Sequence, residues 1–159
     1  MKNMTSPAKS CSILLCALLL LAAGCNNDKT NEPKTLVSNV TAPTWAAPEE
    51  SDLTSSMTAV IRVDLAAKYP TAAADFALDD SDLLAAFCAG ECLGVATPQD
   101  GLFFLYVASP TSNSEMVTLK YYSAHYKNLF EAGDAFPFVN DDHLGTVAEP
   151  LSPAFVVAK

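Results

Sequence analysis

Residues 49–159 predict an all-β fold, an antiparallel β-sandwich of about seven to eight strands. Three observations predict it. Apolar residues recur at every second position in several short runs, the period of a half-buried strand. Clusters of Gly, Pro, Asn, Asp and Ser punctuate those runs and supply turns. From Trp45 onward there remain roughly 115 residues, enough for one modest core and one domain.

The strands follow in order. Met57, Ala59, Ile61, Val63 and Leu65 alternate with Thr58, Val60, Arg62 and Asp64, which predicts the first. Ala66 to Ala77 contains three consecutive alanines, but Pro70 interrupts any helix there, so a loop with at most one short helix is expected. Leu83 to Cys88 and Cys92 to Thr97 flank Ala89-Gly90-Glu91 and read as a tight hairpin. The run Leu102 to Val107 is apolar at every position, which predicts a central strand covered on both faces. Val117, Leu119 and Tyr121 alternate with Thr118, Lys120 and Tyr122 in the next. Shorter strands are expected at Ala135 to Val139, Gly145 to Val147 and Ala154 to Val157, joined through Ala132-Gly133-Asp134 and Asn140-Asp141-Asp142.

Upstream, Lys2 and Lys9 precede an apolar run from Ile13 to Ala23. Eleven residues at ~1.5 Å each cannot cross a ~30 Å hydrocarbon core, so the run reads as a signal sequence and not as a span. It ends in Leu21-Ala22-Ala23-Gly24-Cys25, which resembles the lipobox of bacterial lipoproteins. The resemblance implies that residues 1–24 are removed and that Cys25 carries the lipid. Two or three acyl chains then anchor the protein stably, since one chain holds only marginally. Residues 25–48 are rich in Asn, Thr, Pro, Lys and Glu and are expected to form a flexible tether. Asn26 and Asn27, and no aspartate, follow Cys25 directly; the expected address is the cell envelope, at the outer membrane, on its periplasmic or its surface side.

The chain carries 9 Lys and Arg against 18 Asp and Glu, a net charge of −9. Loss of Lys2 and Lys9 with the leader leaves seven basic residues against 18 acidic ones, or −11. Such a balance argues against nucleic acid as a partner, and membrane contact is expected through the lipid alone.

Asp82 to Phe87 followed by Gly90-Glu91-Cys92-Leu93-Gly94-Val95-Ala96 resembles a module of secreted Bacteroidetes-type proteins. Those modules pair an Ala-Ala-Phe strand with a hairpin and Glu-Cys-x-Gly-Val-Ala. Further on they carry a strand like Val117 to Tyr122, then Gly145-Thr146 and Glu149-Pro150-Leu151. The resemblance spans most of Met57 to Phe155 and implies an extracellular immunoglobulin-like sandwich that binds, with no catalytic residues to transfer. Two positions depart from it: Leu93 stands where the family commonly has Arg, and Cys88 where it has an aliphatic residue.

Candidate site residues are few. Trp45, Tyr122 and Tyr126 offer flat aromatic faces for a sugar ring; Tyr122 and Tyr126 are expected on the outer face or a turn, Trp45 at the mouth of the sandwich. Asp79, Asp80 and Asp82, with Asp141 and Asp142 from another loop, hold oxygens of the kind Ca²⁺ takes, but lack an EF-hand pattern and read better as solvated or turn-bonding acids. Cys88 and Cys92 oppose each other, and can bond, if the hairpin loop has three residues; with a two-residue Ala89-Gly90 turn, Cys88 pairs with Glu91 and Cys92 faces away. No metal or other cofactor is expected. His125 and His143 fall in turns, and no Gly-x-Ser-x-Gly elbow, His-Glu-x-x-His helix or phosphate loop is present, so no enzyme is expected. Two functions fit: a lipid-anchored extracytoplasmic module that binds a glycan or a partner protein, and a structural subunit of an envelope assembly that binds no small ligand.

Overall fold

The computed structural model of the chain describes residues 33–49, 54–109 and 115–159. The leader and Cys25 lie outside the described residues. Among the described residues ten strands form: β1 (Ser55–Ile61), β2 (Leu83–Cys88), β3 (Glu91–Ala96), β4 (Pro98–Gln99), β5 (Leu102–Ser109), β6 (Met116–Ser123), β7 (Asn128–Ala132), β8 (Phe136–Pro137), β9 (His143–Leu144) and β10 (Phe155–Val157). They make an all-β sandwich of two largely antiparallel sheets. A four-stranded sheet has the order β4-β5-β1-β9, and a six-stranded sheet the order β10-β7-β6-β2-β3 with β8 beside β6.

The strand number exceeds the expected seven or eight because β4, β8 and β9 span two residues each, too short to show a period. β7 was not expected at all. Its single fully buried side chain, Phe130, leaves no alternation to read. β1 stops at Ile61 and does not reach Leu65, and β9 falls at His143–Leu144, just before the expected Gly145 to Val147. There β9 runs parallel to β1, pairing Thr58 with His143 and Ala59 with Leu144. No helix forms between Ala66 and Ala77. Single turns bond Tyr69 N to Leu65 O and Ala73 N to Tyr69 O, and Pro70 has no N–H with which to continue the ladder.

The inward residues match the period-2 reading. Met57, Ala59 and Ile61 of β1 and Phe103, Leu105 and Val107 of β5 face Leu84 and Ala86 of β2 and Val117, Leu119 and Tyr121 of β6. Tyr121 is the hub, with Phe103 edge-on at 6.0 Å and Phe130 and Phe155 at 5.9 and 5.8 Å. The backbone of β3 passes close to that of β5: a Cβ on Gly94 would collide with the Tyr106 carbonyl oxygen, so this position admits only glycine.

Candidate functional site

Residues 33–49 are the first surprise. Expected as tether, residues 33–48 instead lie along the domain as a strap without regular structure. Leu36 is 1 % exposed and joins the core cluster. The amides of Ser38 and Val40 donate to the carbonyls of Tyr126 and Lys127 at 2.9 Å each, and Asn128 Nδ2 donates to Leu36 O at 2.8 Å. One deep apolar anchor and these hydrogen bonds fix a segment whose mean composition is that of a disordered chain.

Neither candidate tyrosine is presented as expected. Tyr122 points outward from β6, as its alternation requires, yet is 6 % exposed, with its hydroxyl donating to Val40 O at 3.4 Å. Tyr126, in the turn between β6 and β7, is 2 % exposed and donates to Asp75 Oδ1 at 3.0 Å. Burial, and then the bond to Asp75, push the Tyr126 hydroxyl up to about 12. Neither ring is presented to a ligand. Trp45 is half-buried, and it sits against the outer face of β2 and not at the mouth of the sandwich. Its ring meets Phe87 edge-on at 5.6 Å, while Lys120 Nζ lies 5.3 Å from the Phe87 centroid and 3.0 Å from Glu131 Oε1.

The acidic candidates do not form a cation cradle. Asp82 is fully buried, and its carboxylate accepts from the Tyr121 hydroxyl at 2.5 Å, Ala124 N at 2.7 Å and Asp79 N at 3.1 Å. It therefore fastens the start of β2 to the β6–β7 turn. Burial holds its pKa above the usual carboxylate range despite those three donors. Asp79 turns its own carboxylate to Ser81 N at 2.8 Å, and Asp80 is exposed. Among the described residues no three metal-ligating side chains converge.

Cys88 and Cys92 are free thiols. Ala89 and Gly90 both have positive φ, 47° and 90°, the signature of a two-residue type I′ turn. Cys88 pairs with Glu91 and Phe87 with Cys92, after a bulge between Ala86 and Phe87. Neighbours on a strand point to opposite faces, so Cys88 turns inward and Cys92 outward, and the disulfide alternative is closed. The Cys88 thiol donates to Glu115 Oε2 at 2.9 Å; that bond and burial push it up to about 11. Burial also raises Cys92, so neither thiol is an activated nucleophile.

The second surprise is β5. Expected to be covered on both faces, it is open on its outer face at Phe104 and Tyr106, while Leu102 and Ala108 in the same register are buried. Phe104 is 43 % and Tyr106 50 % exposed, side by side on the outer face of the four-stranded sheet. Their cross-strand partners are Val60 and Thr58, and the Thr58 hydroxyl shares a 2.6 Å hydrogen bond with His143 Nδ1. Alternate residues on a strand stand about 6.8 Å apart, so the two rings make a short, flat platform. The open strip is lined by Thr58, Ala59, Val60, Phe104, Leu105 and Tyr106, with no charged side chain. An all-apolar run signals a strand but not which face is covered, so the signal in the sequence was the doublet of aromatics at alternate positions. His125, by contrast, lies away from this strip, 3.4 Å from Asp75 Oδ2 and edge-on to Tyr126. Comparison of the chain with protein-family models, with curated proteins and with solved structures gives no match.

Proposed function

We propose that the protein is a lipid-anchored extracytoplasmic binding module, held at the outer membrane through Cys25, whose ligand surface is the outer face of β1 and β5. One observation carries the reading. Phe104 and Tyr106 stand about half exposed on a sheet face whose other outward residues could have been polar at no cost to the core. The leader pattern supports the address, and the acidic balance argues against nucleic acid as ligand.

The test is retention on washed cell-envelope fragments. In detergent that holds the acyl chains in micelles, so that the lipid contributes nothing to retention, the acylated protein is retained and the double variant Phe104→Ala/Tyr106→Ala elutes early with an unchanged thermal midpoint, whereas Trp45→Ala is retained as the parent is. Equal retention of the double variant overturns the assignment of the face. Retention traced to a single stoichiometric envelope protein makes the same surface a subunit contact in an assembly. For the anchor, Cys25→Ala moves the protein out of the detergent phase on phase separation, and persistence there contradicts lipidation.

A further inference from the structure

We infer that the β1–β5 face takes a neutral glycan chain laid along the strip, stacked on Phe104 and Tyr106. The inference rests on the reading of that face as the ligand surface and deepens it by naming the ligand class.

Size decides first between a glycan and a protein. A fully exposed aromatic side chain offers about 150–250 Å², so these two, at 43 % and 50 % exposure, present together roughly 200 Å². A stable protein interface removes about 800 Å² from each partner. The platform is too small to anchor one alone, yet it matches a ligand that is one chain wide. Chemistry points the same way. The face of an aromatic ring is electronegative, and the C–H groups on the flat side of a pyranose are weakly positive, so the two stack without a charged partner. Hydroxyls at the rim of the sugar meet the Tyr106 hydroxyl and the Thr58–His143 pair on either side of the strip. Charge selects among glycans: no charged side chain lines the strip itself, Arg62 standing one outward position beyond Val60, and a chain of net charge −9 repels a polyanion such as a uronate polymer.

Affinity electrophoresis tests the inference, using the full-length acylated protein in detergent and gels containing hydroxyethyl cellulose, xylan, mannan or alginate. The expected result is retardation in at least one neutral gel and none in alginate. Phe104→Ala and Tyr106→Ala should each weaken that retardation roughly tenfold or more. Tyr106→Phe, which keeps the ring, should restore most of it. No retardation in any neutral gel overturns the glycan inference; if Phe104→Ala/Tyr106→Ala still abolishes retention on envelope fragments, the binding face stands and its ligand is not a neutral glycan. If retention is also insensitive to the double variant, both readings fail. Retardation that survives both alanine variants places the glycan elsewhere and overturns the inference as well.

Discussion

On the six-stranded sheet the outward aromatics Phe87 and Tyr122 lie against or beneath the strap, whereas on the four-stranded sheet Phe104 and Tyr106 stand in the open. Both faces are built by the same rule: alternate residues of a strand point away from the core. What differs is the chain that follows or precedes. Residues 33–49 supply Leu36 and a row of backbone donors to one face, and among the described residues nothing equivalent crosses the other. An outward aromatic is therefore structural or available according to what lies over it, and the alternation of its own strand is the same in both cases.

Substitutions can break or sharpen this contrast. The largest effect is expected at Asp82, which holds the turn that receives the strap. Asp82→Ala removes the shared acceptor of the Tyr121 hydroxyl and of the amides of Ala124 and Asp79, and should cost about 3 kcal/mol or more by urea unfolding. The same residue sets a pH dependence. Its pKa is raised in the folded state, so between the ordinary aspartate value and the folded value the folded protein holds the extra proton. The stability this group contributes is full below the ordinary value and is lost as pH rises through the folded one. Asp75 acts in the opposite sense. Its bond from Tyr126, with its own backbone and His125 adding to it, lowers its pKa, so its contribution is present above the ordinary value and lost as pH falls through the folded one. Unfolding midpoints across acidic pH for the parent, Asp82→Asn and Asp75→Asn separate the two slopes.

Leu36→Ala comes next, at about 2–3 kcal/mol for an emptied apolar site. It should loosen the strap first, so that amide exchange at Ser38 and Val40 accelerates before the sheets open. Exchange that stays coupled to global unfolding would show strap and sandwich to be one cooperative unit. A smaller and opposite effect is expected at the hairpin. Ala89 has a φ of 47°, a conformation that suits Asn or Gly, so Ala89→Asn or Ala89→Gly should raise stability by about 0.5–1 kcal/mol in thermal melts. On the open face, Phe104→Ala or Tyr106→Ala should change stability by no more than about 0.5 kcal/mol, because little packing is lost there.

The sequence exposed the directions of side chains better than their surroundings. Val117, Leu119 and Tyr121 point inward and Tyr122 outward, as their spacing requires. The burial of Tyr122 was illegible because its cover comes from a polar segment with one apolar anchor, Leu36, some 86 positions upstream along the chain (122 less 36). The reverse error occurred at β5, where Phe104 and Tyr106 extended an apolar run and so suggested a second covering layer. Periodicity reports which way a residue points, and long-range contacts decide what it meets. Cys88 and Cys92 teach the same lesson at short range: the spacing allowed two loop lengths, and the positive φ values at Ala89 and Gly90 select the shorter.

The most direct test of the contrast pairs one aromatic from each face. Affinity for a neutral polysaccharide and the thermal midpoint are measured for Tyr106→Ala and Trp45→Ala in the otherwise native chain. The open-face account predicts that Tyr106→Ala loses affinity roughly tenfold at an unchanged midpoint, while Trp45→Ala lowers the midpoint and keeps its affinity. Lost affinity in Trp45→Ala with full affinity in Tyr106→Ala would contradict it and move the ligand to the strapped face.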